Sequence, residues 1–285
     1  MKTRRIGAVE VSSIGLGGMP MSIEGRPDET RSVATVHAAL DAGVTFIDTA
    51  DAYHLHADDV GHNESLIAKA LATHERGSEV LVATKGGHLR PGDGSWTLNG
   101  SPEYLKRACE ASLGRLGVEA IGLYQFHRPD PGVPYEESVG AIRDLLDEGK
   151  ILQAGISNAN PEQIRAANEI LGGRLVSVQN QLSPAFRSSE QELDVCTELG
   201  IAFLPWSPFG GIRNAGELGS RFAPFAEVAQ AHGVSPHQVC LAWLLAKSPV
   251  TVPIPGASRP ASVRDSVEAA ELVLSSDEFE RLNAA

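Results

Sequence analysis

Cysteine is scarce: Cys109, Cys196 and Cys240 are the only three in 285 residues, and they lie far apart. They form no C-x-x-C pair and no metal-ligand spacing, so neither a disulfide framework nor a zinc site is expected. Reduced thiols packed on helices, in a cytoplasmic setting, fit better. No apolar run approaches the roughly 20 residues that cross a membrane. The start, Met1-Lys2-Thr3-Arg4-Arg5-Ile6, lacks the apolar stretch of a secretory leader, and none is expected. Positive charge is also short. With 24 Lys and Arg against 36 Asp and Glu, the formal net charge is −12, which argues against a nucleic-acid or anionic-membrane binder. A phosphorylated cofactor stays open, because a few local donors hold phosphate against an acidic background. No Pro/Gly/Ser-rich linker interrupts the chain, so residues 1–285 are expected to form one domain.

What is present centres on Asp48-Thr49-Ala50-Asp51-Ala52-Tyr53. This run closes an apolar stretch, Val44-Thr45-Phe46-Ile47, that reads as a buried strand. An acid and a phenol thus stand past a strand's carboxyl end, the edge where α/β proteins bind ligands. A phenol with a pKa near 10 exchanges protons at neutral pH only with a cation beside it. Two later strands supply the partners: 80–85 ends in Lys85, and 121–127 ends in His127.

The same beat runs through the chain. Residues 1–12 read as a hairpin that plugs or covers one end of the fold. Residues 13–18 read as a first strand; their glycines miss the G-x-G-x-x-G spacing because position 20 is Pro20. Close approach of backbone to a neighbour or ligand is the better reading, which brings in Gly17, Gly18 and Met19. Further strands are expected at 44–50, 151–157, 175–181, 201–206 and 250–254. Helices are expected at 28–43, 63–72, 102–117, 135–149, 161–171, 189–199, 235–247 and 262–271. Eight strands alternating with helices predict an α/β fold, a (β/α)8 TIM barrel with a short N-terminal hairpin. A doubly wound open sheet is the alternative. Residues 87–101 and 209–222 read as loops or lids over the catalytic face.

Asp48, Tyr53, Lys85 and His127, in this order at strand ends, resemble the aldo-keto reductase family. So do G-I-S-N at 155–158, Gln179, W-S-P-F-G at 206–210 and P-I-P-G-A-S at 253–258. The loop P-F-G-G-I-R at 208–213 is similar to a bacterial subgroup that includes pyridoxal reductases. The resemblance implies reduction of aldehyde or ketone carbonyls by hydride from NADPH, with NADH as the alternative. It makes Tyr53 the general acid, Lys85 the cation that lowers the Tyr53 pKa, Asp48 the partner of Lys85, and His127 the group that orients the carbonyl. It assigns Ser157, Asn158 and Gln179 to the nicotinamide carboxamide and Trp206 to the face of its ring. Ser207, Pro208, Phe209, Gly210 and Arg213 follow the pyrophosphate. Gly256, Ser258, Arg259 and Ser262 belong to the adenosine-phosphate site, and Asp265 and Ser266 to the adenine. Here the chain departs from many relatives: Asp265-Ser266 stands for Glu-Asn, and Gly256, Ser258 and Ser262 stand where Lys or Arg is common. Arg259 or Arg264 is expected to compensate.

His54, Leu55 and Trp96, with His127, are the expected substrate-pocket residues, and aromatic aldehydes or pyridoxal the expected substrates. A monomer or weak oligomer is expected. Two rival functions are weighed. His54-Leu55-His56 with His127 and Asp130 suggests a metal-dependent hydrolase, but it leaves Tyr53 and Lys85 unexplained. A nicotinamide-sensing barrel with little turnover keeps the fold and drops the chemistry.

Overall fold

The computed structural model describes residues 1–285. A hairpin, β1 (Thr3–Ile6) and β2 (Val9–Ser12), leads into β3 (Leu16–Gly17). Then come α1 (Glu29–Asp41), β4 (Phe46–Asp48), α2 (His62–Ala72) and β5 (Leu81–Gly86). A small hairpin, β6 (His88–Leu89) with β7 (Thr97–Leu98), lies in the stretch 87–101 read as a loop or lid. The alternation resumes with α3 (Pro102–Leu116), β8 (Leu123–Phe126), α4 (Tyr135–Asp147), β9 (Ala154–Ser157), α5 (Pro161–Ile170) and β10 (Leu175–Gln179). It ends with α6 (Glu190–Leu199), β11 (Ala202–Phe203), α7 (Leu218–Arg221), α8 (Ala223–His232), α9 (Pro236–Lys247), α10 (Pro260–Glu268) and α11 (Ser276–Asn283).

Seven strands pair in parallel in the order β11-β10-β9-β8-β5-β4-β3. Neighbours in the sheet follow chain order with no reversal, so there is no switch point of an open doubly wound sheet. Residues 250–256 close the ring, but not as the ladder expected at 250–254. On one side Val252 N donates to Phe203 O and Ile254 N to Pro205 O; on the other, Gly15 N donates to Pro253 O and Gly17 N to Pro255 O. Pro253 and Pro255 have no N–H, so the side facing β3 lacks two ladder donors and returns only Ala257 N to Gly17 O, at 3.4 Å. The segment pairs through isolated bridges only, Gly17 with Gly256 on this side and Phe203 with Thr251 on the β11 side. A Cβ on Gly17 would lie 2.9 Å from Ile254 O and 3.2 Å from the Gly256 Cα, so the close approach here requires glycine.

The hairpin plugs the barrel. Ile6 and Val11 are buried in one cluster with Phe46, Leu81, Leu123, Leu204, Val252 and Ile254, the inward side chains of the staves. A larger apolar layer lies between the sheet and α3 to α9, with Trp243 and Tyr124 fully enclosed. Each such side chain contributes about 2–3 kcal/mol of transfer free energy. Cys109, Cys196 and Cys240 sit in this layer, all free thiols. Local signals fix the helix ends. Ser101 caps α3 by accepting from Tyr104 N, and Asn160 with Gln163 forms a reciprocal box at α5. Helices α8 and α11 were not expected, nor was α7 within the loop 209–222. No helix is long and apolar enough to cross a membrane.

Candidate active site

Register brings the strand-end residues together. Asp48 lies opposite Ala83, and Lys85, two residues further along β5, lies opposite Gln125 of β8. With a period of two, these side chains share the inner face of the barrel. Lys85 Nζ donates to Asp48 Oδ2 at 2.7 Å, to Thr49 O at 2.8 Å and to Tyr53 Oη at 2.9 Å. All three ammonium hydrogens are thereby engaged. Asp48 Oδ1 accepts from Gln179 Nε2 at 2.7 Å and from Gln125 Nε2 at 3.4 Å. The Tyr53 oxygen accepts from Lys85, so its own hydrogen is free for a partner in the cavity. The His127 ring packs edge-on to Tyr53 with centroids 5.9 Å apart.

The electrostatics differ from expectation at one point. Burial pushes the Tyr53 phenol above its ordinary value, against the pull of the Lys85 ammonium. The expected depression fails because the phenol is enclosed and Asp48, which neutralises Lys85, also disfavours the phenolate. Burial opposes the Lys85 charge, yet Asp48 and Tyr53 outweigh it and raise the ammonium above its usual value. Burial, then Lys85, His88 and Arg128, drive His127 well below the usual imidazole value. The site thus holds a protonated phenol, an ammonium and a neutral imidazole at pH 7.

These groups border a cavity of about 360 Å³. Of the expected residues, Gly17, Met19, Asp48, Tyr53, His127, Ser157, Asn158, Gln179, Trp206, Ser207, Pro208, Phe209 and Gly256 line it, as does Trp96. Lys85 lies directly behind its floor. Gly18, Gly210, Arg213, Ser258, Arg259 and Ser262 stand outside this cavity; Arg213 and Arg259 are exposed, and Arg259 Nε donates to Ser262 Oγ at 2.8 Å. Asp265 turns to α9, accepting from Ser235 Oγ and Gln238 Nε2, while Ser266 is buried within α10. His54 and Leu55 are also outside the wall. The His54 ring is buried with Nδ1 on the His56 carbonyl, and Arg90 holds its own carbonyl. No group of His, Cys, Asp and Glu is arranged to hold a metal ion.

The lining also includes Pro20, His88, Arg128, Gly211, Ile212, Ala215 and Ile254, none given a site role from sequence, although Gly211, Ile212 and Ile254 fall within quoted motifs. His88 and Arg128 each directly follow a strand-end motif, K-G-G-H and F-H-R, a signal that adjacency alone offered.

Asn158 and Ser207 hold positive φ, 56° and 49°, the only non-glycine residues to do so, and both line the cavity. Such conformations cluster at functional sites. Asn158 Nδ2 donates to His127 O and Ser157 Oγ, and Ser157 Oγ donates to Gln179 O. This internal network leaves Gln179 Oε1 and a lone pair of Asn158 Oδ1 toward the cavity, two acceptors that suit a carboxamide NH2. Trp206, with an Nε1 that has no partner, presents a flat wall beside them. The residues at this end fit a nicotinamide.

A closed parallel barrel with a buried acid–ammonium–phenol chain and an imidazole at its carboxyl-end mouth defines a barrel enzyme that handles protons at a polar substrate atom. Residues 13–285 match the family model of the Aldo/keto reductase family, and the chain belongs to that family. It is an NAD(P)H-dependent oxidoreductase by that membership. The chain is 34% identical over 285 residues to an uncharacterized oxidoreductase of Schizosaccharomyces pombe, covering 99% of this chain and 89% of that one. It is 36% identical over 271 residues to the 6-dehydroglucose reductase of Novosphingobium aromaticivorans, covering 92% and 87%. Among solved structures, an aldo/keto reductase from Klebsiella pneumoniae in complex with NADP and acetate superposes with a TM-score of 0.83 at 27% identity, covering 99% and 94%.

Proposed function

We propose that the protein reduces aldehyde and ketone carbonyls to alcohols with NADPH, and that Tyr53 is the proton donor. The observation that carries this reading is the Lys85 ammonium, 2.9 Å from the Tyr53 oxygen and 2.7 Å from Asp48, which both line the cavity. The nicotinamide supplies the hydride when bound; the chain supplies position, charge and a proton.

A carbonyl gaining electrons becomes an alkoxide and needs a proton at oxygen. Tyr53 carries one at neutral pH because burial keeps the phenol protonated. Its oxygen already accepts from Lys85, so the hydrogen points outward to the substrate. As the proton leaves, the phenolate forms next to an ammonium held in place by Asp48 and Thr49 O. Groups preset around developing charge lower the barrier without reorganising. His127 donates through Nε2 to the carbonyl oxygen, since Nδ1 is enclosed without a partner and a bare acceptor there costs less than an orphan N–H. Being neutral, it orients the carbonyl and does not replace Tyr53 as the acid.

Ser157, Asn158, Gln179 and Trp206 hold the nicotinamide. The amino end of α10 has no side-chain cap on Arg259; Pro260 carries no N–H and Ser262 N already donates to Arg259 O, which leaves the Ala261 N–H for a phosphate. Arg259, at the head of that helix, and Arg213 are both exposed and would be available to the cofactor's phosphates. Aromatic aldehydes and pyridoxal suit a cavity walled by His88, Trp96 and Trp206.

The test is loss of reduced-nicotinamide absorbance with NADPH, then NADH, against 4-nitrobenzaldehyde, pyridoxal and simple ketones. Turnover with at least one aldehyde is expected, faster with NADPH. Binding of both nucleotides with no turnover on any carbonyl would sink the reading.

A further inference from the structure

We infer that Arg128 forms an anion-recognising subsite in the substrate end of the cavity, so that favoured carbonyl substrates carry a carboxylate. The inference rests on the carbonyl-reductase reading of the cavity and specifies what that cavity selects.

Arg128 follows His127 at the carboxyl end of β8 and lines the cavity. It is half-buried, yet no carboxylate lies within ion-pair distance of it. Asp130, two residues on, is engaged by the backbone amides of Gly100 and Gly132. Asp48, the one carboxylate on the cavity wall, is taken by Lys85. Only one guanidinium contact is made, Nη2 to Asn158 Oδ1 at 3.0 Å. None of the other nitrogens is enclosed, so the remaining N–H groups are open to a ligand.

The other neighbours do not supply the missing negative charge. Burial first, then Arg128 and Lys85, push His88 down to about 4, so it is neutral. His127 is neutral as well. The chain's net charge is −12, yet this wall carries a guanidinium with no counter-ion. Leaving a cation partly desolvated and unpaired is unfavourable unless a ligand completes it. A planar fork of N–H donors matches a carboxylate bidentately. Beside it, His88 stacks obliquely on Trp96 with centroids 4.6 Å apart and meets His127 edge-on at 4.9 Å. That wall suits an aryl ring between the carbonyl at His127 and the anion at Arg128.

The experiment compares 4-carboxybenzaldehyde with 4-nitrobenzaldehyde, whose para groups are both planar and similar in size but differ in charge. Each is measured in the wild type, Arg128→Met and Arg128→Lys. The ratio of the two KM values cancels general damage to the site. Arg128→Met should raise KM for the carboxylate substrate about tenfold to hundredfold relative to the nitro substrate. Arg128→Lys should retain part of the preference, since it keeps the charge and loses the fork. The same ratio in all three proteins overturns the inference. So does an equal loss for both aldehydes with a raised KM for NADPH, which would make Arg128 a support for Asn158 or the cofactor. If neither aldehyde is reduced by any protein, the reductase reading fails, and calorimetry with benzoate against benzamide decides the subsite by itself. Tighter benzoate binding that Arg128→Met abolishes supports it; equal affinities overturn it.

Discussion

Asp48 and Asp51 are three residues apart in one short run, and both are almost fully buried. Their fates are opposite. Asp48 points into the barrel, where Lys85 and Gln179 occupy both its oxygens. Asp51 points out toward the helices, where its only side-chain donor is Tyr104 at 3.4 Å and Oδ1 has no partner. Burial, then the charge of Glu64, push the Asp51 carboxyl up to about 8. Glu64 itself is held by Thr84 and Arg115. The backbone alternation of β5 divides the two worlds: Lys85 goes inward and Thr84 outward. What sets a buried carboxyl's charge is therefore the partner its face supplies, since burial is the same on both sides. The inner cluster is organised around a charge that must stay; the outer one stores a proton.

If the inner cluster does chemistry and the outer one only structure, variants should separate them. Tyr53→Phe should lower kcat by a factor of about 10³ or more, with the NADPH dissociation constant nearly unchanged, since only the proton donor is lost. Steady-state turnover and fluorescence titration check it, and near-normal turnover removes Tyr53 from its role. Lys85→Met should be comparably damaging to activity and also destabilise by about 3–5 kcal/mol, because Asp48 is left buried without its cation. Chemical denaturation measures the second effect; wild-type stability would make the inner pair dispensable to the fold.

Arg115→Met strips the outer cluster of its cation in the same manner. It should cost about 2–4 kcal/mol of stability by leaving Glu64 uncompensated, while kcat/KM stays that of the wild type. A parallel drop in kcat/KM would join the clusters functionally. Asp51→Asn has the smallest expected effect and the opposite sign. The folded carboxyl keeps its proton up to about 8, whereas the unfolded one releases it near 3.8. The folded state binds more protons across that window, so stability falls as pH rises through it and levels off above. The variant has no such proton, and its advantage should widen by about 1–3 kcal/mol between pH 5 and pH 7.5. Paired melts at the two pH values read this directly; a constant difference would mean that Asp51 ionises in the folded protein.

The inner face was the legible one. Strand ends with chemistry-bearing residues are short-range signals, so Asp48, Tyr53, Lys85 and His127 were found from order and residue type. The outer face was not, because Asp51, Glu64 and Arg115 acquire meaning only through helix packing. At the sheet seam, V-P-I-P reads as a strand by its apolar residues, yet Pro253 and Pro255 withhold the donors a ladder needs. Helix α11 carries a Ser275–Glu278 capping box that was there to be read. Helix α8, rich in alanine and without an N-terminal side-chain cap, offered weaker marks, Pro224 in its first turn and Gly233 at its end. Asp265, read as a cofactor residue, also serves α9, whose Ser235 and Gln238 donate to its carboxylate, a contact that only helix packing reveals.

The half-ladder that closes the barrel has a kinetic meaning. A hoop with one thin joint springs open at that joint, so native-state deuterium uptake should begin at the Gly15 and Gly17 amides and reach the β5–β8 pairing last. Gly17 and Gly256 stand on either lip of that joint and also line the cavity. A nucleotide lying across them would act as a clasp, slowing the escape of those two amides far more than it changes any other part of the molecule.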